Sequence, residues 1–87
     1  MHQLIFSSQF LKSAERLNNS IKPKLKLSLD VLSKNPFDVR LQTKSLSGKL
    51  SGQYSFRLGK DYRVVFKFYS DSTIFLLKAG NRKDIYK

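Results

Sequence analysis

Arg57 and Arg63 are the residues whose spacing most directly suggests chemistry. They flank Gly59-Lys60-Asp61, a short turn inside a stretch, from Gln53 onward, where apolar and polar residues alternate with a period of two. A three-residue loop pairs Leu58 with Tyr62 and Arg57 with Arg63. Directly opposed residues carry their Cβ atoms ~5 Å apart, so the two guanidiniums repel, and a glutamate opposite either would be the ordinary choice for stability. An anion site built on rigid strands explains that cost. A solvated face with splayed arginines is the bland alternative. Arginine suits a phosphate because its planar, permanently charged fork binds two oxygens at once.

A two-residue loop at Asp71-Ser72 would set Lys78 on the same face, although one residue of slip would turn it away. The tail, Gly80-Asn81-Arg82-Lys83-Asp84-Ile85-Tyr86-Lys87, forms a second polar cluster. Gly80 allows a sharp turn off the last strand, which can return Arg82 and Tyr86 to the sheet face; a frayed basic terminus is the alternative. Other chemistries find little support. His2, expected at the surface of the first strand, is the one histidine, so a nucleophilic triad has no other imidazole to draw on, and there is no cysteine for a thiolate site. Gly48 and Gly52 lack the spacing and the Lys-Ser/Thr of a phosphate loop. Asp61 and Asp84 are weak candidates for paired-carboxylate work.

The elements that must hold these residues follow from periodicity. His2 to Phe6 reads as a strand, and Ser7 or Ser8 can cap a helix over Gln9 to Leu17, with Phe10, Leu11, Ala14 and Leu17 at helical spacing. Asn18-Asn19-Ser20 break the pattern and offer a second cap. Another helix spans Ile21 to Lys34, with Ile21, Leu25, Leu29 and Leu32 on one face, Lys22, Lys24 and Lys26 on the other, and Pro23 tolerated in the first turn. Asn35-Pro36 ends this helical hairpin. Phe37 to Gly52 reads as an ordered connection anchored by Leu41, Leu46 and Leu50, with room for a short strand. Strands over Gln53–Leu58, Tyr62–Tyr69 and Thr73–Ala79 complete the chain. The order β-α-α-β-β-β implies an α+β domain over residues 1–87: a two-helix antiparallel hairpin on one face of a small, twisted, mostly antiparallel sheet. Its expected core is Phe6, Phe10, Leu17, Leu25, Leu29, Leu32, Phe56, Val64, Phe66 and Leu77.

With 87 residues and no cysteine, stability must come from that core, to which seven Phe and four Tyr contribute. Seventeen Lys and Arg against six Asp and Glu leave a formal charge of +11, which points to a polyanionic partner: nucleic acid, an anionic membrane or an acidic protein. No apolar run approaches the ~20 residues a bilayer requires. Met1 to Phe10 lacks the features of a signal peptide, so the expected location is the cytosol, with no membrane partner.

Several segments taken together resemble one family. Asn35-Pro36-Phe37, then Leu46-Ser47-Gly48, then Tyr54-Ser55-Phe56-Arg57-Leu58-Gly59-Lys60-Asp61-Tyr62-Arg63-Val64-Val65-Phe66 resemble the RelE/ParE toxin superfamily. The ending Gly80 to Tyr86 is similar to the GHRKDVY terminus of its RelE-like branch. The resemblance covers nearly the whole chain. It implies the toxin of a type II toxin–antitoxin module, neutralised by a co-transcribed antitoxin with an acidic segment in a hetero-oligomer. RelE-like members cleave mRNA in the ribosomal A site without metal or other cofactor, by attack of a 2′-hydroxyl on the adjacent phosphate. On that resemblance the catalytic set is Arg57, Arg63, Arg82 and Tyr86. The arginines would hold the phosphate, and Tyr86 would orient or deprotonate the nucleophile. Lys49, Ser55, Lys60, Lys78 and Lys83 would bind RNA or phosphate around them.

Three positions depart from the pattern. Ser55 stands where a RelE-type enzyme has a strand lysine, Asn81 stands for the usual histidine, and Arg57 replaces a lysine and is a poorer proton donor. These departures keep open a ParE-like inhibitor of DNA gyrase without RNase activity, and a generic nucleic-acid-binding or inactive protein.

Overall fold

The computed structural model describes residues 1–86, so Lys87 lies outside the described residues. Strand β1 (Gln3–Phe6) leads into helix α1 (Ser8–Glu15) through Ser7, whose Oγ accepts the Phe10 N–H at 2.9 Å and donates to the Leu77 carbonyl at 3.0 Å. One hydroxyl therefore caps the helix and ties it to the last strand. Asn18 then turns the chain. Its Oδ1 accepts the Ser20 N–H and its carbonyl accepts those of Ile21 and Lys22, opening helix α2 (Lys22–Lys34) without a side-chain cap at Ile21. Pro23 sits in the first turn, and Asn35, in extended backbone before Pro36, stops the helix.

Ile21, Leu25 and Leu32 are buried and Leu29 partly so, as the helical period requires, while the lysines between them face water. The connection after Pro36 carries a 3-10 turn (Val39–Leu41) that plants Leu41 in the core, strand β2 (Lys44–Ser45) and a second 3-10 turn (Gly48–Leu50). Asp38 caps the first of these turns. Bonds from the Arg40 side chain and backbone hold its carboxyl down to about 2.

Strands β3 (Tyr54–Leu58), β4 (Tyr62–Ser70) and β5 (Thr73–Asn81) complete a five-stranded sheet of order β1-β5-β4-β3-β2. Among the described strands only β1 against β5 is parallel. Helix α1 lies over β5 and α2 reaches β3. Between helices and sheet the core gathers Phe10, Leu32, Leu41, Phe56, Leu58, Val64, Phe66, Ile74 and Leu76. The architecture is the expected α+β one, with the short strand present in the connection.

Three expectations are corrected. Leu77 is only half-buried, and Leu76 fills the core opposite Phe66. Tyr69 is an extra residue on β4 that shifts the β4–β5 register by one, and Leu77 is an extra residue on β5 that shifts it back. Phe6 is 42% exposed: it ends an edge strand and stacks on Phe10 from outside, with ring centroids 5.6 Å apart. His2 precedes the strand and is half-buried. Its N–H donates to the Ser33 carbonyl, its ring lies 6.2 Å from that of Phe68, and its Nδ1 is buried without a hydrogen-bond partner among the described residues.

Candidate functional site

The β3–β4 hairpin turns on Gly59, whose φ of +64° lies where side chains are strained and where a Cβ would sit 3.2 Å from Ile21 Cδ1. Leu58 pairs with Tyr62 and Arg57 with Arg63, the opposition expected of a three-residue loop. On the other side of β4, Arg63 faces Gly80 and Val65 faces Lys78. Alternation therefore sets Ser55, Arg57, Arg63, Val65, Lys78 and Gly80 on the sheet face turned away from the helices. The two compensating bulges return the register in time to place Lys78 there, as a two-residue loop at Asp71-Ser72 requires.

Each guanidinium donates to an uncharged oxygen. Arg57 Nη1 reaches Gln42 Oε1 at 3.2 Å, and half-buried Arg63 donates from Nη1 to the Tyr62 carbonyl at 2.9 Å. These bonds hold both groups in place without neutralising either, which suits an anion that would bind between them.

Ser55 and Val65 are 1% exposed although no helix covers this face. The cover comes from the tail. Asn81 starts a turn: its carbonyl accepts the N–H groups of Asp84 and Ile85, and its Oδ1 accepts that of Lys83. Ile85, 4% exposed, packs over Gly80, where a Cβ would lie 3.3 Å from Ile85 Cδ1. Tyr86, the last described residue, has its OH 2.8 Å from Ser55 Oγ. Position 81, where the resemblance places a histidine, thus carries an asparagine occupied in shaping the tail.

The remaining expected site residues are more dispersed. Arg82 does not follow Tyr86 onto the face; its N–H donates to the Asp61 carbonyl at 2.8 Å, and its Nε lies 3.9 Å from Asp61 Oδ1 at the hairpin turn. Lys60 is exposed in that same turn and Lys83 is exposed in the tail. Lys49 is exposed on the second 3-10 turn, apart from the arginines. Ser55, expected to bind RNA or phosphate, is 1% exposed, with its Oγ 2.8 Å from Tyr86 OH. Sequence reasoning missed Gln42, which orients Arg57 from a residue with φ of +50°. Only its place in a polar connection hinted at a role. Among the described residues no three His, Asp or Glu come together to hold a metal ion.

Sheet order, helix placement and tail define the fold as that of the RelE-like toxin superfamily, whose solved members cover nearly the whole chain. YafQ from E. coli strain BL21(DE3) matches with a TM-score of 0.80 at 18% identity, with 100% of each chain covered. The archaeal RelE–RelB complex from Pyrococcus horikoshii OT3 gives 0.77 at 25% identity, covering 95% of this chain and 97% of that one. The toxin–antitoxin complex RelBE2 from Mycobacterium tuberculosis gives 0.76 at 23%, covering 93% and 98%. No protein-family model matches the sequence, and no curated protein does.

Proposed function

We propose that this chain is the toxin of a type II toxin–antitoxin pair and that it cleaves mRNA in the ribosomal A site. The observation that carries the reading is the Arg57–Arg63 opposition on the sheet face turned away from the helices, with Tyr86 brought back onto Ser55 on the same face. The fold shared with solved toxins, some captured with their antitoxins, supports the toxin role and the antitoxin partner.

The chemistry is transesterification. The 2′-oxygen bonds to phosphorus while the bond to the 5′-oxygen breaks, leaving a 2′,3′-cyclic phosphate. Arg63 and Arg57 stabilise the charge that grows on the non-bridging oxygens. Tyr86 orients the 2′-hydroxyl through its phenolic oxygen, and water takes up the proton that the attacking 2′-oxygen loses. Arginine gives up protons poorly, so water supplies the one taken by the departing 5′-oxygen. Arg82 and Lys78 add positive charge at the rim.

Toeprinting on a translated message tests this. Wild-type protein is expected to cut within the A-site codon, and Arg63→Ala to leave the message whole. An uncut message together with blocked supercoiling by DNA gyrase would replace the reading with a ParE-like inhibitor.

A further inference from the structure

Ser55 is the buried polar side chain of the described fold, and its hydroxyl meets that of Tyr86 at 2.8 Å. We infer that Ser55 is a positioning residue, which fixes the Tyr86 hydroxyl at the site and does not itself touch RNA. The inference rests on the proposed RNase reading for its kinetic consequences but not for its structural ones.

Two residues share the work of holding the tyrosine. Ile85, wedged over Gly80, anchors the backbone of the tail. It leaves the Tyr86 side chain to choose among rotamers, and that residue is 38% exposed. The hydrogen bond that fixes the phenolic oxygen comes from Ser55, in a strand flanked by β4 and β2 and so held rigidly. Lys44 lies opposite Ser55 on β2, and Val65 then Lys78 lie across β4 and β5. Arg57 follows two residues along the strand. The hydrogen bond therefore sets the phenolic oxygen in a ring of cationic positions. A longer side chain at position 55 would occupy the place the hydroxyl takes. A serine here, with its oxygen below the surface, holds a partner and leaves the surface to that partner. Displacements of about 1 Å in a catalytic group cost on the order of 10²-fold in rate.

Steady-state cleavage on programmed ribosomes tests the role. Ser55→Ala, nearly isosteric, is expected to lower kcat by ~10- to 100-fold with KM unchanged. In a Tyr86→Phe background the same substitution is expected to have no further effect, because its route to the chemistry is gone. Ser55→Thr restores the hydroxyl and with it much of the rate; if threonine does not fold in this buried place, the double-mutant cycle decides alone. Further loss in the Tyr86→Phe background, a raised KM, or an unchanged kcat would each overturn the inference. The 13C resonance of the Tyr86 ring carbon bearing the hydroxyl provides a readout free of activity. It is expected to shift in Ser55→Ala, and identical spectra would overturn the positioning. A wild-type protein that cuts no message overturns the RNase reading, and the resonance still decides whether Ser55 holds the hydroxyl.

Discussion

Arg63 and Arg57 face one another but are held differently. Arg63 is half-buried, bonded to its neighbour's carbonyl, and opposed on β5 by a glycine. Arg57 is exposed and tethered to a glutamine in a loop. A preorganised donor lost from a developing oxyanion costs ~2.7–4 kcal/mol, a few hundredfold in rate. Arg63→Ala is therefore expected to abolish cleavage more completely than Arg57→Ala. Its melting temperature should be no lower than wild type, since a repulsive neighbour is removed. A folded Arg63→Ala protein that cuts at the wild-type rate would sink the assignment. The opposition of these arginines was legible in the sequence because the Gly59 turn fixes it locally. The Ser55–Tyr86 bond, 31 residues apart, and the Arg57–Gln42 bond, 15 apart, were not. They depend on the paths of a tail and a loop, which no periodicity dictates.

Elements were more legible than their joints. The helical stripes and the alternation in β3 and β4 follow from side-chain period, and helices and strands lie where the pattern puts them. Leu77 was misplaced because a bulge leaves no mark in an alternating sequence. Phe66 shows how much rests on correct parity: it is 0% exposed at the centre of the core, and Phe66→Ala is expected to cost ~3–5 kcal/mol in denaturant unfolding. Gly59→Ala forces a side chain into the left-handed region and against Ile21, for a loss of ~1–2 kcal/mol read by thermal melting. Acid acts on the loop between helix and sheet. The Asp38 carboxyl titrates at about 2, below its ordinary 3.8, so its contribution is full above pH ~4 and fades as the pH falls toward 2. Amide protection relative to the unfolded chain in residues 38–42 should fall over that window, while Asp38→Asn should show no such dependence.

On the scale of the whole molecule, charge and exposed apolar groups point to the same partner. Leu11, next to Lys12 on α1, stands 55% exposed, and Leu27, next to Lys26 on α2, stands 70% exposed. On the proposed toxin reading, an acidic amphipathic segment of an antitoxin is expected on such a surface. With a formal charge of +11, association is expected to slow markedly between low and high salt; a rate indifferent to salt would contradict the picture. The parallel pairing of β1 with β5 has a consequence for how the protein comes into being. Gln3 finds its partner at Thr73 and Phe6 at Leu76, so the first strand made must wait for the last. The β3–β4 hairpin can close locally, but α1 has no floor until β5 arrives, and the tail that covers Ser55 comes later still. Contacts of such long sequence separation form late. A growing chain therefore carries the paired arginines before residues 81–86 can bring Tyr86 back to Ser55.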